Sequence, residues 1–185
     1  MAETPVRQSA LAGLALPTEQ NRVAIRDAGQ MMRLNVRGDA SAAAAAGRAL
    51  GMPWPTTPLS TRSGGERTAL WLGPDEWLVL GPDRAAEASI KVIHAALAGQ
   101  PASVVDVSHR SVGIHIAGSH VSDVLAAGCP LDLNVFPVDQ CARTIFGKAE
   151  IILWRTDSDA YHVEIGRSFA PYVIGLMTQA GRDLP

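Results

Sequence analysis

The sequence predicts an α+β fold with mostly antiparallel sheet and helices packed on it. One observation is a duplication, because strand, helix, long loop, hairpin and helix follow one another twice, over about 31–99 and about 111–181. The other is that helices fall between pairs of strands, whereas a doubly wound α/β fold alternates single strands with helices. We therefore expect an N-terminal arm over 1–22, followed by one duplicated domain over 23–185 whose halves share a core.

The duplication is visible in three pairs of sequence motifs. They are LNVRG (34–38) with IHIAG (114–118), ALGMP (49–53) with AAGCP (126–130), and LVLG (78–81) with VEIG (163–166). The apolar positions are repeated, whereas polar positions differ, as Asn35 against His115 shows. The duplication therefore indicates an inherited architecture rather than two active sites.

Local patterns define the elements of the first half. Apolar and polar residues alternate over 31–37, which is typical of a half-buried strand. Asp39 or Ser41 can cap the alanine-rich helix that follows, and Gly51 ends it. The expected elements are strands over 23–26 and 31–37, a helix to about 50, a loop over 53–65, a hairpin over 67–72 and 77–80, and a helix from Pro82 to about 98.

The second half follows the same order. Ser119 is expected to cap a short helix, and Ser168 a longer last helix with an apolar stripe. The expected elements are strands over 103–107 and 112–116, the short helix, a loop over 130–140, a hairpin over 144–155 and 160–165, and the last helix.

The composition restricts the class of partner. Charged residues make up 18% of the 185 residues, and the net charge is −2, whereas globular proteins average about 25% charged residues. So low a fraction of charged residues is typical of a subunit whose surface is partly covered by other chains, and it argues against a nucleic-acid partner. No apolar run reaches the roughly twenty residues of a membrane span. We expect a cytoplasmic protein in which Cys129 and Cys141 are reduced thiols.

The polar residues form no convincing active site. His109, His115 and His120 lie close in sequence, but their spacing does not match a metal motif, so no metal site is expected. Asp106 and Ser108 are expected to satisfy backbone groups at a strand end. A hypothesis that stays open is an independent enzyme that uses His109 with Asp106 or Ser108.

Other polar residues are expected to be structural or exposed. Asp75 and Glu76 are interpreted as turn formers, Glu150 and Glu164 as facing water or a partner, and His115 and His162 as solvated or interface residues. Trp71, Trp77 and Trp154 are expected in the core.

Five residues are predicted to contact other chains. Trp54 lies between prolines in a loop, and aromatic residues at such positions often anchor interfaces. Arginines such as Arg143 and Arg167 make charge-assisted contacts with carboxylates, although solvated arginines at a sheet edge are an equally good interpretation. The predicted interface residues are Trp54, His109, Arg110, Arg143 and Arg167. No catalytic or cofactor-binding residue is predicted.

Five longer sequence motifs resemble those of a known protein family. They are WLGPDEWLVLG (71–81), VVDVSHRSVGIHIAG (104–118), AAGCPLDL (126–133), CARTIFGKAEIILWR (141–155) and RSFAPY (167–172). In this order and spacing, over nearly the whole chain after the arm, they resemble the gamma subunit of heterotetrameric sarcosine oxidase. The DVSH segment and the duplicated layout are also similar to the folate-binding domain of the glycine-cleavage aminomethyltransferase (T protein).

The resemblance implies a non-catalytic structural subunit that assembles with alpha, beta and delta subunits. The implied complex oxidatively demethylates sarcosine to glycine and produces hydrogen peroxide and methylenetetrahydrofolate. FAD, FMN, NAD, zinc and tetrahydrofolate are implied on the other subunits, and no cofactor on this chain. The alternative is a free-standing tetrahydrofolate-binding module of the aminomethyltransferase-like superfamily.

Overall fold

Ten β-strands and four α-helices make up the part of the chain that the computed structural model describes, residues 8–17 and 22–182. The strands are β1 Ala24–Asp27, β2 Met31–Arg37, β3 Thr61–Gly64, β4 Arg67–Gly73, β5 Glu76–Pro82, β6 Ser103–Asp106, β7 Ser111–Ala117, β8 Cys141–Phe146, β9 Ala149–Asp157 and β10 Ala160–Gly166. The helices are α1 Ala40–Leu50, α2 Ala86–Ala96, α3 Val121–Ala126 and α4 Ala170–Arg182. The predicted α+β class is confirmed.

The strands form two five-stranded antiparallel sheets with the same internal order. The first sheet runs β6-β2-β5-β4-β3 and the second runs β1-β7-β10-β9-β8. The edge strands are exchanged between the halves. β1 precedes β2 in the chain but pairs with β7, with Ile25 opposite Ile116, while β6 pairs with β2, with Val104 opposite Val36. Each sheet therefore contains a strand from the other half.

Helix α1 begins and ends where the sequence predicts. The Asp39 side chain accepts a hydrogen bond from the Ala42 amide at 2.9 Å and so satisfies one of the first-turn donors. Gly51 ends the helix with φ of 64°, a left-handed conformation that glycine adopts without a steric penalty.

Three element boundaries were predicted wrongly. The predicted loop contains β3, which pairs with β4 after a tight turn at Gly65, where φ is 60°. The strand predicted over 144–155 is divided into β8 and β9 by a turn at Gly147, where φ is 59° and a Cβ would lie 2.4 Å from the Tyr172 hydroxyl. A 3-10 turn, Asp83–Ala85, precedes α2, which therefore does not begin at Pro82.

The helices cover the outer face of each sheet. Met32, Leu34 and Val36 of β2 pack with α1 and α2, which include the buried Ala46 and Ile93. On the second sheet, apolar residues of β7, β9 and β10 pack with α3 and α4 in a larger cluster. The layers therefore follow the order helices, sheet, sheet, helices. None of the helices in the described residues is both long and apolar enough to span a membrane.

Part of the predicted arm is packed against the domain. Leu11 is buried in the cluster of the second sheet, and Leu14 and Leu16 pack against that cluster. The Ile25 amide also donates to the Pro17 carbonyl at 3.0 Å. Residues 8–17 of the arm therefore lie against the second sheet, and residues 1–7 and 18–21 lie outside the described residues.

Candidate functional site

The facing sides of the two sheets carry a buried ion pair. Arg33 of β2 donates through Nε to Oε2 of Glu164 of β10 at 2.5 Å, and the side chains are only 3% and 2% exposed. Removing one partner of such a pair leaves an uncompensated charge away from water. The Arg33–Glu164 pair therefore connects the two sheets, and replacing either side chain alone destabilises the fold.

His162 completes the hydrogen bonding of this carboxylate. Its Nε2 lies 2.7 Å from Glu164 Oε1, and because an ionised carboxylate only accepts, Nε2 is the donor. Burial by itself raises the pKa of Glu164, but the contacts with His162 and Arg33 outweigh burial and hold that pKa below its usual range. Glu164 is therefore kept as a carboxylate.

Two further rings surround His162. The His115 ring centroid lies 5.0 Å from that of His162 in an edge-on arrangement, and the Trp154 ring centroid lies at 5.9 Å. Burial lowers the pKa of His115, and the neighbouring His162 acts in the same direction. Burial and His162 therefore outweigh Glu164, which acts in the opposite direction, and favour an uncharged His115.

Gly113 of β7 makes room for these groups. A Cβ at this position would lie 2.8 Å from His162 Cε1 and 2.9 Å from both Arg33 Nη2 and Glu164 Oε1. Real Cβ atoms do not approach side chains that closely, so any other residue at 113 would displace these three side chains. An isolated glycine within a strand pattern indicates such a close approach, and it was the available sequence signal for the cluster.

A second charged cluster also joins the sheets. Arg143 of β8 donates to both oxygens of Glu76 of β5, at 2.7 and 3.1 Å. Asn35 and Arg37 of β2 donate to the same carboxylate at 2.8 and 2.7 Å. The hydrogen bond from Arg143 lowers the pKa of Glu76 against the effect of burial, and Asn35 and Arg37 add to the lowering.

Beside the two clusters lies a cleft of 840 Å³, which we call the inter-sheet cleft. Its apolar side includes Leu72 and Leu78 of the first sheet, Ile152 of the second sheet and Phe169 before α4. Its charged side chains are Arg33, Arg110, Arg143, Glu150, Glu164 and Arg167.

Three of the five predicted interface residues meet at this cleft. Arg110, Arg143 and Arg167 line it, and the Arg167 amide donates to the Arg110 carbonyl at 3.0 Å. His109 is exposed on the connection between β6 and β7. Trp54 lies elsewhere, half-buried beside α1, with its ring centroid 6.0 Å from that of Trp77. An interface role for these residues stays a prediction.

Asp106 and Ser108 have the structural roles expected from the sequence. The Asp106 carboxylate accepts from the Ser108 amide at 2.8 Å, and the Ser108 hydroxyl accepts from the Arg33 amide at 2.9 Å. Both contacts fix the connection between β6 and β7. The two cysteines are free, buried thiols, and burial raises the pKa of Cys141 to about 12.

Glu76, which was interpreted as a turn former, begins β5 and is 6% exposed. The exposure expected for His162 and Glu164 was wrong, because they are only 1% and 3% exposed. They lie on the polar side of β10, but that side faces the opposite sheet instead of water or a partner. Of the tryptophans expected in the core, Trp77 is buried, whereas Trp71 and Trp154 are half-buried.

The architecture is similar to a known fold. The chain superposes on the glycine-cleavage aminomethyltransferase T from Bartonella henselae with a TM-score of 0.65 and 15% identity, over 88% of this chain and 49% of that one. Two sheets of equal order with outer helices are therefore an aminomethyltransferase-like fold. The predicted similarity to that fold is confirmed.

The family follows from the sequence comparison. The family described as "Sarcosine oxidase, gamma subunit family" matches residues 36–182, and the chain belongs to this family. A sarcosine oxidase subunit gamma from Arthrobacter sp. is 35% identical over 123 residues, which are 65% of this chain and 60% of that protein. The match therefore spans less than two thirds of that relative's length.

A solved structure agrees over a longer stretch. A chain of the heterotetrameric sarcosine oxidase from Corynebacterium sp. U-96 superposes with a TM-score of 0.87 and 24% identity. The superposition covers 96% of this chain and 95% of that chain. The fold is therefore shared over nearly the whole chain.

Proposed function

We propose that this chain is the gamma subunit of a heterotetrameric sarcosine oxidase and that it has a structural role without an active site. The observation that carries the proposal is the family match over 36–182, which lies on a chain whose fold covers almost all of a chain from such a complex. The proposed complex contains alpha, beta and delta subunits and lies in the cytoplasm.

In this proposal the chemistry belongs to the other subunits. The complex oxidatively demethylates sarcosine to glycine, with hydrogen peroxide and methylenetetrahydrofolate as products. FAD, FMN, NAD, zinc and tetrahydrofolate bind to the partner subunits. This chain contributes surface and rigidity to the assembly.

The buried carboxylates support a structural role. Glu76 accepts from Arg143, Asn35 and Arg37, while Glu164 accepts from Arg33 and His162. A general base needs a pKa near the working pH and access to a substrate proton. Carboxylates whose pKa values are lowered and whose oxygens are occupied suit a scaffold better than acid–base chemistry.

We also propose that 23–185 acts as one domain and that the arm over 1–22 attaches to it. The exchanged strands support one domain, since β1 and β6 complete each other's sheets. Leu11, which packs in the core of the second sheet, supports the attachment of the arm.

The test is assembly with and without this chain. The four genes are co-expressed, the complex is purified through a tag on the alpha subunit, and its mass is measured by native mass spectrometry. We expect a four-chain complex with sarcosine oxidase activity, and loss of stable assembly when this chain is omitted. Full recovery of complex and activity without the chain contradicts the proposal.

A pair of histidine variants separates a structural role from catalysis. In the assembled complex, His109→Ala is compared with His94→Ala, which changes an exposed histidine of α2. The structural proposal predicts that turnover changes by less than about tenfold in both, equivalent to about 1.4 kcal/mol of barrier. A larger loss of turnover in intact complex for His109→Ala alone supports the independent-enzyme hypothesis instead.

The alternative function, a free-standing tetrahydrofolate-binding module, stays a prediction. It is tested by calorimetric titration of the isolated full chain with tetrahydrofolate. Binding in the absence of the other subunits supports this alternative. A lack of heat at about millimolar ligand, a concentration that detects affinities near −4 kcal/mol, contradicts it.

A further inference from the structure

The charges of the inter-sheet cleft differ in sign from those of the whole chain. The cleft is lined by four arginines and two glutamates, so its formal charge is +2, whereas the chain has a net charge of −2. A concave surface with one excess sign of charge concentrates ligands of the opposite sign. The inter-sheet cleft therefore favours anions.

Both glutamates of the cleft are already engaged. Glu164 is bound by Arg33 and His162. Glu150 lies 3.8 Å from Arg143 Nε, while the outer nitrogens of Arg143 contact Glu76. The remaining positive charge comes from other arginines of the lining.

Arg110 and Arg167 supply this excess charge. Neither forms an ion pair with an acidic side chain of the described residues, and Arg167 Nη2 donates to the Gln8 carbonyl at 3.1 Å. Both residues are exposed, and the backbone hydrogen bond between them keeps them together at the cleft. Two exposed guanidinium groups on one rim suit a carboxylate, which arginine binds with parallel hydrogen bonds.

The amino end of α4 also favours an anion in the cleft. The 3-10 turn Arg167–Phe169 leads into this 13-residue helix, and Ser168 and Phe169 line the cleft. The first turn of α4 contains no acidic residue. The amino end of a helix carries a partial positive charge that favours anions.

The size and the apolar side of the cleft define the rest of the ligand. Its volume of 840 Å³ lies within the range of about 300–1,000 Å³ for small-molecule sites. A carboxylate group alone would fill little of this space. Leu72, Leu78 and Ile152 offer an apolar surface for a larger body.

We propose that the inter-sheet cleft binds a small organic acid. Its carboxylate is held by Arg110 and Arg167, and its apolar or aromatic body packs on Leu72 and Ile152. This site is independent of the proposed function, because it requires only this chain and no step of the sarcosine reaction.

The test uses three probes on the purified full chain. Indole-3-acetate combines a carboxylate with an aromatic body, indole-3-acetamide has the same body without the charge, and acetate has the charge without the body. Calorimetry is expected to give a dissociation constant below about 1 mM for indole-3-acetate, and values at least about tenfold higher for the other two. The affinity for indole-3-acetate is expected to fall with added salt.

Variants locate the site. The double variant Arg110→Gln with Arg167→Gln changes exposed side chains that the fold does not bury, and it is expected to weaken indole-3-acetate binding at least about tenfold. Arg62→Gln is the matched control, since Arg62 is exposed and lies outside the cleft lining, and it is expected to leave binding unchanged.

Three outcomes overturn the proposal. One is equal affinity for indole-3-acetate and indole-3-acetamide, which would make the cleft merely apolar. Another is no saturation with indole-3-acetate at about 10 mM, a concentration about tenfold above the largest dissociation constant expected. The third is unchanged binding in the double variant. None of these results bears on whether the chain assembles with other subunits, which the native mass measurement tests separately.

Discussion

Replacing Glu164 with glutamine tests whether the buried ion pair joins the two sheets. Glu164→Gln keeps the shape of the side chain but leaves the Arg33 guanidinium charged and 3% exposed without its counter-ion. Two unit charges about 4 Å apart attract by about 4 kcal/mol at an effective dielectric constant of about 20. Removing one partner of a buried pair costs about 3–5 kcal/mol. Both routes give the same magnitude.

The assay is urea unfolding of the full chain, followed by tryptophan fluorescence and circular dichroism. With a slope of about 2 kcal/mol per molar urea, the midpoint is expected to fall by roughly 1.5–2.5 M. The matched control is Glu150→Gln, because this side chain is 61% exposed and lies 3.8 Å from Arg143. Exposed pairs contribute about 0–1 kcal/mol, so this variant is expected to unfold almost as the wild type does.

A double variant separates the charge from the packing. Arg33→Met together with Glu164→Gln removes both charges, so no unpaired guanidinium remains, and it is expected to recover part of the stability that Glu164→Gln loses. The reasoning is refuted if Glu164→Gln lowers the unfolding free energy no more than Glu150→Gln does. It is also refuted if adding Arg33→Met to Glu164→Gln lowers the unfolding free energy further, by as much as a substitution at an unrelated buried site would.

Three other predictions concern single positions. Gly113→Ala should destabilise the chain by about 1–3 kcal/mol, since its Cβ would meet three groups within 2.9 Å, whereas Gly175→Ala in α4, with nothing within 4 Å, should stabilise it by up to about 1 kcal/mol in the same unfolding assay. Arg143 lowers the pKa of Glu76, so the stabilisation from Glu76 is present above its unfolded pKa of 4.5 and is lost as the pH falls through the folded pKa. The unfolding free energies of the wild type and Glu76→Gln should therefore converge as the pH drops below 4.5, and a gap that stays constant with pH would contradict this. Burial raises the pKa of Cys141 to about 12, so at pH 8 a thiol reagent should label Cys141 in urea but not in the folded chain, as mapped by peptide mass; rapid labelling of the folded chain would argue against it.

Sequence patterns predicted the class of fold because apolar alternation depends only on which side of a strand is buried. Met32 and Leu34 pack under the helices as the alternation of β2 predicts. The same alternation could not predict the surroundings of Arg33, because a polar side of a strand looks the same whether it meets water or a second sheet. The packing of one sheet on the other depends on contacts between distant residues, and Glu164 is 131 positions away.

The inter-sheet cleft was only partly predictable for the same reason. Arg110, Arg143 and Arg167 were predicted to contact other chains, and the three residues line the same cleft. Their meeting depends on how β7, β8 and the start of α4 are placed, which no local pattern specifies. Glu76 was interpreted from its neighbours as a turn former, yet the position opposite Arg37 in the ladder makes it the acceptor of the second charged cluster.

The exchange of edge strands has a consequence for the order in which the chain folds during synthesis. β1 leaves the ribosome early, but its partner β7 follows about ninety residues later, as the pairing of Ile25 with Ile116 shows. The first sheet likewise lacks an edge until β6 has been made. A nascent chain therefore carries an unpaired strand for much of its translation, and such open edges are sites of mispairing between neighbouring chains. Early capture by a chaperone or by a co-translated partner would protect that edge during this interval.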